Sequence, residues 1–162
     1  MPLHEKQKRY LDCFFPGLVE AVSSLGPGEF KPEAPTLRPF GDGLRGVGLH
    51  LTYRLNEGNS VEIKISSRLK TGEPPFLYGN PFKPECWERI HYSLHYGPAF
   101  EECLFRFDLD EFSGHHVHLQ SNPKAHVPSK TLTPDVTNLD PRTFVQMVAA
   151  YRTKKVYPVR KK

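Results

Sequence analysis

Val47-Gly48-Leu49-His50-Leu51-Thr52-Tyr53-Arg54-Leu55 leads through Asn56-Glu57-Gly58-Asn59-Ser60 into Val61-Glu62-Ile63-Lys64-Ile65-Ser66, and this stretch decides the fold. Apolar and polar residues alternate with a period of two, which sends successive side chains to opposite faces of a pleated strand. The five residues between the runs are rich in turn formers. The pattern predicts a β-hairpin that buries Val47, Leu49, Leu51, Tyr53 and Leu55 on one face, together with Val61, Ile63 and Ile65.

The alternation returns twice downstream. Ile90, Tyr92, Leu94 and Tyr96 interleave with His91, Ser93 and His95; after Gly97-Pro98, Cys103, Phe105, Phe107 and Leu109 interleave with Leu104, Arg106, Asp108 and Asp110. A fifth strand over 115–120 puts His116, His118 and Gln120 on one face. Helical spacing appears only at the two ends. Leu11, Phe14, Phe15, Leu18, Val22 and Leu25 make a stripe that Pro16 interrupts and Gly26-Pro27-Gly28 stops. Asp140-Pro141 is a helix-start signal, and Phe144, Val145, Val148 and Tyr151 follow as one apolar face. Two proline-rich stretches, 30–43 and 70–84, read as extended surface loops. The expected architecture is α+β, an antiparallel sheet of about five strands with the N- and C-terminal helices packed on one face. It is read as one domain over 1–162: a helical segment 1–26, the sheet 44–120, a helix 140–152 and a basic tail 153–162.

Composition excludes several classes. At 162 residues, with 38% hydrophobic and 12% aromatic side chains, the chain is long and apolar enough for a core. No apolar run approaches the ~20 residues of a membrane helix, and no signal core follows Met1, so a cytoplasmic protein is expected. Cys13, Cys86 and Cys103 lack metal-type spacing and read as reduced thiols. With 22 Lys plus Arg against 18 Asp plus Glu, the net charge is +4.

The polar sheet face carries the functional reading. Alternation places His50, Arg54, Lys64, Arg68, His91, His95, Arg106, Asp108, His116 and His118 there, a surface suited to an anionic ligand such as a nucleic acid. Its densest feature is Ser113-Gly114-His115-His116-Val117-His118, with His126 eight residues on. Imidazole both takes and gives a proton near neutrality, so two of them flanking a phosphodiester can serve as base and acid for attack by a ribose 2′-hydroxyl. His116 and His118 are the candidates for proton transfer, Asp108 for orienting a ring, and Arg106 with Lys64 for stabilising phosphate charge. Nucleic-acid contacts fall to His91, His95, Lys64, Arg54 and Arg68. No cofactor is required by that scheme. The alternative is a divalent transition metal on His116 and His118, completed by Asp108, His95 or His126. His115 points to the opposite face and reads as structural. A non-catalytic nucleic-acid or protein-binding module also remains open.

Tyr92-Ser93-Leu94-His95-Tyr96, Phe105-Arg106-Phe107-Asp108 and His115-His116-Val117-His118 resemble, in turn, the "YRYHYQ"-like strand, the "FRYDN"-like strand and the "HHxH" cluster of the small TumE-type toxins of bacterial toxin–antitoxin operons. The resemblance covers about residues 90–126 and departs after Asp108, where Leu109 replaces the asparagine. It implies an RNA-directed toxin, possessing a helix-turn-helix antitoxin partner, with Arg106, Asp108, His116 and His118 at the matching positions. No membrane association is expected, and the oligomeric state is left open.

Overall fold

The computed structural model describes residues 17–30, 36–39, 46–70, 87–98, 102–120, 122–133, 136–137, 139–155 and 159–160. The expected hairpin is its centre. β3 (Gly46–Leu55) and β4 (Ser60–Leu69) run antiparallel, with Leu49 opposite Ile65, Leu51 opposite Ile63 and Tyr53 opposite Val61, all six buried. From β4 the sheet continues as a meander through β5 (Trp87–Gly97), β6 (Phe105–Asp110), β7 (Gly114–Leu119) and β8 (Asn122–Pro128), every neighbour antiparallel. The other edge of β3 is shared end to end. β1 (Gly28–Phe30) pairs with Tyr53–Leu55, and β2 (Thr36–Pro39) pairs with Val47–His50.

The apolar face of the sheet is the core. Leu94, Tyr96, Phe105, Phe107, Val117 and Val127 extend the apolar rows of the hairpin across the sheet. Among the described residues two helices cover it: α1 (Leu18–Ser23) through Leu18 and Val22, and α2 (Pro141–Lys154) through Phe144, Val145 and Val148. Asp140 caps α2 by accepting from the Arg142 backbone N–H at 2.8 Å, and Pro141 occupies the first helical position, where its missing donor costs nothing. Phe105, Phe107 and Phe144 form the centre of the core, with ring centroids 5.6–5.9 Å apart. Gly97 ends β5 where a side chain has no room: a Cβ there would lie 2.7 Å from the Leu104 backbone nitrogen.

The architecture is α+β, as the pattern predicts, but the sheet is larger than expected. Among the described residues it has eight strands in seven positions rather than about five. The three additions are edge strands, β1 and β2 short and β8 of seven residues, and two of the three carry proline. β2 ends on Pro39, and β8 contains Pro123 and Pro128. Proline cannot donate to a ladder and is tolerated only where one side of a strand is unpaired. Such residues read as loops in a sequence, and segments of three or four residues are too short to show a period. Part of the stretch expected as a proline-rich surface connector is therefore β2. Part of the expected basic tail is a strand: β10 (Val159–Arg160) pairs with β9 (Leu132–Thr133) as a small second sheet. The expected helix upstream of residue 17 and most of the 70–84 loop lie outside the described residues.

Candidate active site

Register builds the site. On the polar face, Ser93, Asp108 and His116 stand opposite one another across β5, β6 and β7, and His95, Arg106 and His118 form the adjacent row. On β8, Val127 pairs with Val117 on the core side, so its neighbour His126 belongs to the polar side. Beyond that pair the register breaks before Leu119 meets Asn122, and the extra residues of β8 bulge over β7. The bulge lets the Pro123 carbonyl accept from His118 Nδ1 at 2.6 Å. His126 lies parallel to His116 with centroids 4.5 Å apart, and edge-on to His118 at 4.8 Å.

Asp108 is the hub. Its Oδ2 accepts from Arg106 Nε at 2.8 Å and lies 3.4 Å from His118 Nε2 and 3.6 Å from His116 Nε2. Burial alone pushes this carboxyl up, but the His118 contact and the Arg106 guanidinium outweigh burial and hold it below its ordinary value. His116 Nδ1 donates to the Gly114 carbonyl at 2.9 Å, as His118 Nδ1 does to Pro123. A carbonyl only accepts, so these partners assign the proton to Nδ1 in both rings and turn both Nε2 atoms toward Asp108. His126 is exposed, and its Nδ1 meets Ser113 Oγ at 2.7 Å. Partial desolvation, then the neighbouring His116 and His118, push its pKa down, which favours the neutral ring. The turn before β7 is fixed as well. Asp110 Oδ1 accepts from the backbone N–H groups of Phe112 and Ser113, and these bonds hold its carboxyl below the usual range. Gly114, at φ +61°, supplies the left-handed residue that this tight connection needs. Phe112 is left 90% exposed at the rim.

Beside the imidazoles a cleft of about 340 Å³ opens over β4, β5 and β6, lined by Lys64, Ser66, His91, Ser93, Asp108 and Asp110 among others. Ser93 Oγ and Asp108 Oδ1, opposite one another in register, are both buried with no hydrogen-bond partner among the described residues.

The structure brings together four of the residues expected to act, Arg106, Asp108, His116 and His118. Lys64 and His91 reach the cleft wall as exposed side chains. The others scatter. Arg54 and Arg68 sit toward opposite ends of the hairpin, opposite Ser60 and Gly46. His95 is buried beside Arg106, and the third imidazole of the cluster is His126 in its place. His115 faces the core side and bonds the Tyr92 hydroxyl at 2.7 Å. The face is also less cationic than its basic residues suggest. Lys64 pairs with Glu62 at 2.9 Å, Arg68 with Glu88 at 3.0 Å, and Arg106 with Asp108. Nor is it uniformly solvated, since His95, Arg106, His116 and His118 are all buried.

A family model described as Toxin TumE matches residues 52–147. The chain belongs to this toxin family. The match runs from within β3 into α2 and contains every residue of the imidazole cluster, well beyond the 90–126 segment in which the motif resemblance lies. No curated protein and no solved structure matches the chain. Among the described residues, no helix is long and apolar enough to cross a membrane. An antitoxin is the expected counterpart of a TumE toxin, and the site residues are carried almost entirely by β6, β7 and β8.

Proposed function

We propose that this TumE-family toxin acts on RNA in the cytoplasm as a metal-independent endoribonuclease and is neutralised by a helix-turn-helix antitoxin. The observation that carries the reading is the convergence of His116, His118 and His126 over the Asp108–Arg106 pair. In the proposed reaction an imidazole removes the proton of a ribose 2′-hydroxyl as its oxygen attacks the adjacent phosphorus. A second imidazole delivers a proton to the departing 5′-oxygen. The products are a 2′,3′-cyclic phosphate and a 5′-hydroxyl, with no net proton consumed. His126, exposed and biased to the neutral form, is the ring that meets substrate. His118 and His116 exchange protons beneath it, and Asp108 is placed to stabilise positive charge on either ring. Arg106 orients Asp108, and Lys64 and His91 line the path of the flanking strand.

The test is cleavage of end-labelled RNA by tag-free protein in excess chelator, with analysis of the product ends, alongside growth inhibition on induction. His118→Ala and His126→Ala should each lower cleavage by roughly 10²-fold or more, the range of a lost general acid or base, while circular dichroism stays native. Absence of cleavage by the wild type, or unchanged activity in a folded His118→Ala protein, refutes the reading.

A further inference from the structure

We infer that His116, His118 and His126 form a binding site for a late first-row transition ion of the zinc type, and that a bound ion silences the proton-transfer chemistry proposed above. The site itself does not depend on that chemistry; the silencing does.

The donor set comes first. One nitrogen from each of the three imidazoles lies within 4.8 Å of the other two. The two buried rings are oriented as metal-bound histidines are: Nδ1–H is committed to a backbone carbonyl, to Gly114 and Pro123, which leaves the Nε2 lone pair for a ligand. His126 Nδ1 meets Ser113 Oγ at 2.7 Å, a hydroxyl able to accept from Nδ1–H and so leave Nε2 for a ligand. Both buried Nε2 atoms face the Asp108 carboxylate at 3.4 and 3.6 Å, so the anion favours positive charge at these nitrogens. A cation held by the nitrogens supplies that charge in place of protons. Three neutral nitrogens select zinc, copper, nickel or cobalt over magnesium or calcium, which require oxygen ligands.

The fourth position stays open. Asp108 Oδ2 is already bonded to Arg106, so the protein supplies three ligands and leaves one place toward solvent on the exposed His126 side. Charge balance favours a dication, because Asp108 and Asp110 together outweigh the Arg106 guanidinium by one negative charge. The adjustment required is local. Around an ion at ~2.1 Å the nitrogens stand about 3.4 Å apart, so His126 must tilt out of its parallel stack on His116, and its exposure allows this. With the ion bound, the nitrogens that would carry protons are occupied, and proton transfer stops.

The experiment uses tag-free, chelator-stripped full-length protein. Zinc chloride is titrated by calorimetry, and cobalt chloride by visible absorption to read coordination geometry. One zinc per chain and a tetrahedral cobalt spectrum are expected. His126→Ala should bind at least about tenfold more weakly and lose the tetrahedral spectrum, and Ser113→Ala should bind about tenfold more weakly, as for loss of an orienting partner. Failure to bind one ion per chain, or equal affinity in His126→Ala, overturns the site. RNA cleavage measured in the same titration should fall in step with occupancy. Should zinc bind but switch cleavage on, the site stands and both the silencing and the metal-independent mechanism fall. Should zinc bind to a protein that cleaves nothing at any occupancy, the site stands and the ribonuclease reading fails.

Discussion

Replacing Asp108 with asparagine removes the negative charge and keeps the shape. The pair it breaks is well shielded, the Arg106 and Asp108 side chains being only 9% and 13% exposed. Removing one partner of a buried pair costs about 3–5 kcal/mol, because the remaining charge loses its compensation in a poorly solvated place. The amide keeps one acceptor for the guanidinium, so the low end applies, about 3 kcal/mol. With a urea m-value of about 2 kcal/mol/M, that is a fall of about 1.5 M in the unfolding midpoint. The double variant Arg106→Met/Asp108→Leu removes both charges and should recover to within about 1 kcal/mol of wild type. Urea unfolding followed by circular dichroism measures both. The pH dependence supplies a second readout. Because the Asp108 carboxyl is held below its ordinary value, its stabilisation is fully present above the usual carboxylate range and is lost as pH falls through the lowered value. Asp108→Asn should lack that part of the acid loss. A single variant within about 1 kcal/mol of wild type would refute the buried-pair argument. The double variant also separates folding from function: refolded but non-toxic is the expected phenotype if Asp108 serves the imidazoles.

Phe107→Ala should cost about 3–5 kcal/mol in the same unfolding assay, since the ring is fully buried between Phe105 and Phe144. Cys103 is 1% exposed, and burial chiefly pushes its thiol up, so iodoacetamide should leave it unlabelled in native protein and label it in urea, as read by mass spectrometry. Phe112→Ala should leave stability within about 0.5 kcal/mol. If the exposed ring stacks on a base beside His126, the same substitution should weaken RNA binding by about 1–3 kcal/mol in a fluorescence titration.

The parts of the fold legible in the sequence are those where one physical requirement acts alone. Val47–Leu55 and Val61–Ser66 must bury one face and wet the other, and a period of two is the direct trace of that requirement. Asp140-Pro141 marks a helix start through local hydrogen bonding, and α2 begins there. The edge strands answer to a different requirement. β2 and β8 need only one bonded side, so they tolerate Pro39, Pro123 and Pro128, and the residues that mark loops mark edges equally well.

The site was legible to the same depth. Alternation alone sets Asp108 beside His116, and Arg106 beside His118, once β6 and β7 pair. It cannot choose between His95 and His126 as the third ring, because that choice depends on which strand lies next to β7, and β8 was hidden by its prolines. Parity held the signal nonetheless: with Val127 in the core, His126 must face the other way. Alternation is also blind to whether a polar residue on the outward face meets water. Leaving a buried donor or acceptor unbonded costs about 1–3 kcal/mol, so a buried His116 and His118 require partners that the pattern does not encode. Two backbone carbonyls provide them, one from Gly114 at the start of β7 and one from the bulge of β8. Those carbonyls fix the tautomers, and the tautomers determine that the Nε2 atoms face Asp108. The chemistry of the cluster is therefore set by an edge strand and a bulge that the hydrophobic period does not announce.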